Sequence, residues 1–200
     1  MLDVRVRSEE ESDYRIVEEI TRAAFSYPGR VERGGIGCPF EHWMVHALRE
    51  TDGIIELSYV AVVGEKIVGH IIYSNARVET QDGKIVPVLN FGPLSVLPEY
   101  QKQGIGKTLM NTTIAKATEL GYGAILFFGR PEYYPQFGFV EAEKYGITDC
   151  NGSNYPAFMA MELKKGYLEN VHGKFYESLI YDDSLNHTAV IEFDKEFKML

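Results

Sequence analysis

The eight residues from Gln101 to Thr108, QKQGIGKT, have the composition of a loop that binds phosphate. They come between a stretch that predicts a strand and a stretch of helical periodicity. Backbone N–H groups there, together with the dipole of the following helix, could hold an anion. Gly104 and Gly106 suit this chemistry because a side chain at either position would keep a phosphate away from the amides. The sequence therefore predicts a phosphate-binding turn between a strand and a helix.

Three known phosphate-binding patterns compete for this turn. The nucleotide P-loop needs Gly-x-x-x-x-Gly-Lys-Thr, and Gly106–Thr108 fit it, but Gln101 stands where the first glycine belongs. The dinucleotide-binding pattern fails because Leu109 stands where its third glycine belongs. The third pattern, Gln/Arg-x-x-Gly-x-Gly, is matched completely by Gln101, Gly104 and Gly106.

Through this third pattern the sequence resembles the GNAT superfamily of N-acetyltransferases. Upstream, Gly92–Tyr100 is similar to the strand that leads into that family's acyl-CoA loop. Downstream, Tyr133–Phe139 resembles the family's Phe/Tyr-Tyr-x-x-x-Gly-Phe element, and the order of strand, loop, helix and strand also agrees. The resemblance covers roughly residues 2–163 and is strongest over residues 89–140.

The resemblance implies an α/β fold, with a mixed central sheet, two splayed parallel strands and flanking helices. It also implies acetyl-CoA as cosubstrate and no metal. Leu94 to Val96 would offer main-chain hydrogen bonds to the pantetheine arm, and the amides from Lys102 to Lys107 would hold the pyrophosphate. The cofactor-binding residues implied in this way are Leu94, Ser95, Val96, Gln101, Lys102, Gln103, Gly104, Ile105, Gly106 and Lys107.

Tyr134, in the downstream element, is the catalytic residue that the resemblance implies. Acetyl transfer from a thioester releases a thiolate, and a neutral tyrosine, with an ordinary pKa of about 10, can protonate it. The alternative is a packed aromatic residue without a catalytic role, since Tyr133, Phe137 and Phe139 stand close by. Direct transfer in a ternary complex is expected, because the chemistry requires no covalent enzyme intermediate.

The sequence does not identify the base that must deprotonate the acceptor ammonium. Asn90 lies on the predicted strand that leads into the loop, but its amide cannot take a proton at physiological pH. Ordered water would act as the base instead. His42, His46 and His70 could act as bases, but the first two, four residues apart, are more typical of an ordinary helix surface than of a metal site. Glu56, on a predicted strand, is a further candidate for the base, but it is expected to be a solvent-facing carboxylate.

Composition excludes several classes of protein. The 200 residues carry a net charge of −9, whereas a dedicated nucleic-acid binder needs a basic face. Apolar residues make up 45% of the chain, but no run has the roughly 18 apolar residues that span a membrane. Cys38 and Cys150 cannot form a disulfide framework, and the first residues lack the apolar core of a signal peptide. We expect a soluble, cytoplasmic protein.

Apolar periodicity predicts the elements that position these residues. Predicted strands cover residues 4–7, 55–63, 67–74, 85–96, 124–128 and 157–163. Predicted helices cover residues 16–24 behind a capping box at Ser8 and Glu11, the segment around 43–48, the stretch after Gly104, and a short segment near 131–136. The three middle strands should be antiparallel. The strands before and after the helix that follows Gly104 should be parallel, through a right-handed crossover.

We expect one acetyltransferase domain, residues 1–163, and a C-terminal extension, residues 164–200. Alternation from Thr188 to Phe193 predicts a strand in the extension, packed on the core or on a second subunit, so a homodimer stays open. The expected substrate walls are residues 25–38, with a glycine loop at 34–37, and the segment after Thr148. Neither carries a recognisable specificity code.

The sequence thus predicts an N-acetyltransferase that acts on a primary amine of a small molecule or a protein, with neither nucleic acid nor membrane as partner. Two other classes stay open. One is a catalytically silent acyl-CoA-binding sensor or interaction module, and the other is a nucleotide-dependent enzyme that uses Gly106–Thr108.

Overall fold

The computed structural model of the protein describes residues 2–27 and 38–197 of the chain. In these residues helices are combined with parallel and antiparallel strands in a mixed α/β fold. The helices are α1 (Tyr14–Phe25), α2 (Glu41–Glu50), α3 (Ile105–Glu119) and α4 (Asp183–Asp194). The strands are β1 (Val4–Ser8), β2 (Gly53–Val63), β3 (Lys66–Thr80), β4 (Ile85–Val96), β5 (Ala124–Phe128), β6 (Val140–Glu141), β7 (Ile147–Thr148), β8 (Phe158–Glu162) and β9 (Gly173–Tyr176). Short 3-10 turns include Glu11–Asp13, Pro98–Tyr100 and Tyr134–Phe137.

The chain forms two compact units. Unit 1 contains the described residues of Met1–Tyr73, Gly92–Thr112 and Leu179–Leu200, and unit 2 contains Ser74–Phe91 and Thr113–Ser178. Each of β3, β4 and α3 therefore contributes residues to both units. The division into a domain and an extension at residue 163 stays a prediction.

In unit 1, consecutive strands are neighbours. β1 and β2 pair antiparallel, with Val4 opposite Val63, and β3 and β4 follow in that order. Between β3 and the end of β4, the Leu97 N–H donates to the carbonyl of Val68 at 2.9 Å. The order of β2, β3 and β4 agrees with the three consecutive strands that we predicted, and their antiparallel direction stays a prediction.

The capping box that we predicted at Ser8 and Glu11 is wrong. Ser8 is the last residue of β1, and Glu11 begins a 3-10 turn that precedes α1. The box is formed by Glu10 and Asp13, where the Glu10 N–H donates to Asp13 Oδ2 at 2.8 Å. The Asp13 carboxylate also accepts a hydrogen bond from Arg7 Nη1 at 2.6 Å, and this ion pair favours the later register.

The end of the chain is helical, which corrects the strand predicted from Thr188 to Phe193. α4 begins after Asp182, whose carboxylate accepts the Ser184 N–H at 2.9 Å and so caps the helix. Val190 and Phe193 are three residues apart and buried, and Phe197 follows at the next helical spacing. They join a core cluster with residues of and around α2, namely Cys38, Phe40, Trp43, Met44, Ala47, Leu48 and Ile72.

In unit 2, β4 and β5 pair in parallel, with Leu89 opposite Ile125, which confirms the predicted parallel arrangement of these two strands. β5 pairs antiparallel with β8, and β8 pairs antiparallel with β6. β9 pairs antiparallel with β3, with Phe175 opposite Val78, and in parallel with β7. The core of this unit consists of Val78, Val88, Ala124, Leu126, Ala142, Ile147, Phe158, Ala160, Leu168, Val171 and Phe175.

Two further predictions concern a membrane-spanning segment and the glycine-rich part of the predicted substrate wall. Of the described helices, none is long and apolar enough to cross a membrane. The predicted glycine loop at 34–37, and most of the predicted wall from 25 to 38, lie outside the described residues.

Candidate functional site

The predicted phosphate loop lies in unit 1 and leads directly into α3, which begins at Ile105. Gly104 has a positive φ of +88°, a conformation that favours glycine, and a Cβ placed there would meet no atom within 4 Å. The Thr108 N–H donates to the Gly104 carbonyl at 3.0 Å and closes the first turn. The first N–H groups of α3 are therefore at the positive end of the helix dipole, next to a glycine whose Cβ position is open.

Two glutamines hold the loop in shape. Gln101 Nε2 donates to the carbonyl of Val96 at 3.0 Å, and Gln103 Nε2 donates to the carbonyl of Glu99 at 2.9 Å. Both side chains thus bind the main chain of the segment that leads into the loop. Ile105, at the start of α3, is buried and anchors the helix. Lys102 and Lys107 are exposed and bring positive charge to the loop. The arrangement can hold a polyphosphate by backbone amides and by two lysine side chains.

Leu94, Ser95 and Val96 form the end of β4. Leu97 donates its N–H to β3, so the main-chain groups of Ser95, two residues earlier, also point to β3. The main-chain groups of Leu94 and Val96 point to the opposite edge of β4. Ser95 is buried, and its Oγ lies 3.0 Å from Thr21 Oγ1 on α1. Leu94 and Val96 can therefore offer main-chain groups to a ligand at that edge, whereas the main-chain groups of Ser95 face β3.

Tyr134 lies in an aromatic cluster of unit 2. Its ring packs edge-on against Phe127, with ring centroids 4.5 Å apart, and against Tyr133 at 5.1 Å. Phe91 of β4 and Phe139 are 5.8 Å and 6.0 Å away. Edge-to-face contacts on several sides hold the ring in one orientation.

The Tyr134 hydroxyl is free to donate a proton. Among the residues that the structure describes, none forms a hydrogen bond with it. Burial among the aromatic rings raises the pKa of Tyr134 above its ordinary value of 10, because phenolate is disfavoured away from water. The residue is therefore in its acid form at physiological pH.

The two histidines of α2 have different surroundings. His42 is fully buried, so the predicted helix surface is wrong for it: its Nδ1 lies 2.6 Å from the carbonyl of Pro39, and its Nε2 lies 3.2 Å from Asp194 Oδ1. It is buried because α4 packs on this face of α2. His46 is partly exposed, with Nδ1 3.3 Å from Glu18 Oε1. Within residues 2–27 and 38–197, no group of three or more His, Cys, Asp or Glu side chains could hold a metal ion.

His70 belongs to a buried polar network in unit 1. Its Nε2 lies 3.0 Å from Ser58 Oγ and 3.4 Å from Glu9 Oε1, while Arg49 donates to Glu9 at 2.5 Å and to Glu18 at 3.0 Å. Burial lowers the pKa of His70. Burial alone would raise the pKa of Glu9, but His70 and Arg49 together outweigh it and lower that pKa to about 2. Since His70 is completely buried, a substrate amine cannot reach it, and the network stabilises unit 1.

One contact in unit 2 has no signal in the sequence. Asn90, with 2% of its surface exposed, donates its Nδ2 hydrogen to Glu177 Oε2 at 2.6 Å, although the two residues are 87 positions apart. No motif surrounds Glu177, so only the tertiary structure reveals this pair. Glu56, by contrast, is exposed, as we predicted.

Comparison with known proteins identifies a related family. Residues 55–141, from within β2 to the end of β6, match the family model of the acetyltransferase (GNAT) domain. A curated relative, the uncharacterized N-acetyltransferase YjhQ of Escherichia coli (strain K12), is 33% identical over 111 residues. That alignment covers 54% of this chain and 60% of the relative, so the chain spans less than two thirds of the relative's length.

Two solved structures have the same fold. The GNAT family N-acetyltransferase YhbS from Escherichia coli, in complex with CoA, has a TM-score of 0.77 and 23% identity, over 91% of this chain and 93% of that one. A GNAT family acetyltransferase from Brucella melitensis, in complex with acetyl-CoA, has a TM-score of 0.68 and 23% identity, over 91% of this chain and all of that one. The predicted fold class is confirmed.

Proposed function

We propose that this chain is an acetyl-CoA-dependent N-acetyltransferase of the GNAT superfamily that modifies a primary amine, a proposal supported by the match of residues 55–141 to the family model and by the curated N-acetyltransferase relative. The observation that carries the proposal is the open loop at the N-terminus of α3, where Gly104 leaves space beside a turn of backbone amides. The acceptor is a small molecule or a protein. Neither Cys38 nor Cys150 is in a disulfide, which suits a reducing compartment such as the cytoplasm.

The cofactor is proposed to bind through main-chain groups. The amides from Lys102 to Lys107 would hold the pyrophosphate, with the exposed lysines at both ends of that range adding charge. Leu94 and Val96, whose main-chain groups point away from β3, would bond the amides of the pantetheine arm. The CoA and acetyl-CoA in the structures of similar fold support this choice of cofactor.

Tyr134 is proposed as the general acid. The amine attacks the thioester carbonyl, and the resulting oxyanion is stabilised by a main-chain N–H of β4. When the carbon–sulfur bond breaks, Tyr134 gives its proton to the departing thiolate, which its free hydroxyl and its acid form at physiological pH support. Transfer is direct, within a ternary complex of enzyme, acetyl-CoA and amine.

Calorimetry with CoA, acetyl-CoA and ATP, followed by an assay of thiol release with a panel of alkylamines, tests the proposal. We expect micromolar-range binding of the CoA compounds, no binding of ATP, and thiol release only when an amine is present. Binding of CoA without thiol release in the presence of any of the amines would indicate a sensor. Binding of ATP alone would indicate a nucleotide-dependent protein.

A further inference from the structure

Asn90 is a buried amide at the point where the parallel strands of unit 2 meet. It follows Leu89, the residue of β4 that lies opposite Ile125 of β5. Asn90 Oδ1 accepts the Phe91 N–H at 2.7 Å, so its Nδ2 must face the other way, towards Glu177. An amide with its oxygen already engaged is a fixed donor, and it holds the carboxylate in one place.

Glu177 is held from its own side as well. It directly follows β9, which pairs with β3 and buries Phe175 in the core of unit 2. The Glu177 carboxylate is only partly buried, so it can exchange protons with water. A carboxylate that is fixed by a buried donor and still in contact with solvent has the properties of a general base.

Consecutive residues of β4 therefore hold two groups that can move protons. The Phe91 ring contacts Tyr134, and the Asn90 amide contacts Glu177. Successive side chains of a strand point to opposite faces, so the two groups are held on opposite sides of β4. Acetyl transfer needs this separation. Nitrogen and sulfur are different substituents of the tetrahedral carbon, so the base that deprotonates nitrogen and the acid that protonates sulfur must approach from different directions.

We propose that Glu177 is the general base of the reaction and that Asn90 is its positioning residue, an inference that rests on the proposed acetyltransferase function. The Glu177 carboxylate takes one proton from the acceptor ammonium and passes it to water. The neutral amine forms the nitrogen–carbon bond, the carbon–sulfur bond breaks with its electron pair on sulfur, and Tyr134 protonates the sulfur. The second proton lost by nitrogen restores Tyr134 through solvent, so the products are the acetamide, free CoA and one proton.

Glu177→Gln tests the assignment, because glutamine has nearly the same shape and its oxygen can still accept the Asn90 hydrogen bond. With acetyl-CoA and the best alkylamine of the panel, we expect kcat near pH 7.5 to fall by about 10²–10⁴. Near pH 9.5 the gap should shrink, because about a quarter of an alkylamine with a pKa of about 10 is then neutral without a base, compared with about 0.3% at pH 7.5. Glu177→Asp should retain more activity than Glu177→Gln, and CoA affinity and thermal stability should not change.

Asn90→Leu keeps the branched shape of the side chain but removes both the donor to Glu177 and the acceptor of the Phe91 N–H, and we expect kcat to fall about tenfold with an unchanged KM for acetyl-CoA. Glu143→Gln, an exposed carboxylate of the same unit, is the matched charge control and should behave as wild type. An unchanged kcat in Glu177→Gln, or a loss that is equal at both pH values, would overturn the base assignment alone. Failure of the wild type to acetylate any amine would overturn the proposed function and the base assignment together.

Discussion

A Cβ atom at Gly129 would lie 2.5 Å from Cε2 of Tyr134, and it would lie 2.3 Å from Cε2 of Phe127. Carbon atoms in contact are normally about 3.5–4.0 Å apart, so the two rings occupy the space that any side chain at position 129 would need. The orientation of Tyr134 therefore depends on a residue without a side chain, five positions earlier in the chain.

Gly129→Ala should displace the Tyr134 ring. We expect the free energy of unfolding to fall by about 1–3 kcal/mol, as for other overpacked sites, and kcat to fall by up to about 10²-fold because the hydroxyl is misplaced. Thiol-release kinetics and denaturant unfolding would measure both effects. If Gly129→Ala acts through the hydroxyl, it should lower kcat little further in a Tyr134→Phe background. A full additional loss in the double variant would contradict that route.

Gly104→Glu should abolish CoA binding without unfolding the protein. The new side chain enters open space, but it brings bulk and a negative charge to the amides proposed to hold pyrophosphate. The positive φ makes any side chain at this position cost about 1–2 kcal/mol. Gly104→Ala has the same backbone strain without the charge and is the control. Calorimetry with CoA should show much weaker binding for the glutamate variant than for the alanine variant, and equal affinities would remove the loop from the site.

Local patterns explain why much of the fold could be predicted. β4 spans Ile85–Val96 and α3 begins directly after Gly104, both as expected. A run of β-branched residues and a glycine turn determine the local structure within a few residues, so the sequence alone indicates both elements. The end of the chain was harder to predict, because the apolar residues there fit both the alternation of a strand and the spacing of a helix. Ile191 and Phe193 alternate like strand residues, yet Ile191 is 38% exposed, and burial follows the helical spacing of Val190 and Phe193.

The candidate site was predictable only where its residues are close in sequence. The loop and the double tyrosine each form a contiguous motif, whereas the Asn90–Glu177 pair is brought together by tertiary packing of β9. The buried state of His42 has the same origin, since it depends on α4, about 150 residues later.

The network around Glu9 should make unfolding depend on acid pH. Because the pKa of Glu9 is lowered from 4.5 to about 2 in the folded protein, its ionised form stabilises the fold by about 3 kcal/mol above pH 4.5. This contribution is lost as the pH falls from 4.5 towards 2, where the carboxyl group becomes protonated. Denaturant unfolding of wild type and Glu9→Gln should differ most near pH 6 and converge near pH 2. A difference that stays constant over this range would contradict the assigned cause.

Tyr134→Phe removes the proposed acid and keeps the ring. General acids contribute about 10²–10⁴ in rate, so we expect kcat to fall by that factor while CoA affinity is unchanged. The melting temperature should also be nearly unchanged, because no residue that the structure describes hydrogen-bonds the hydroxyl. In the wild type, the raised pKa of Tyr134 means that its ionisation should not reduce activity below pH 10. A clear loss of stability would indicate a structural partner for the hydroxyl, and turnover at the wild-type rate, with chemistry rate-limiting, would exclude Tyr134 from the mechanism.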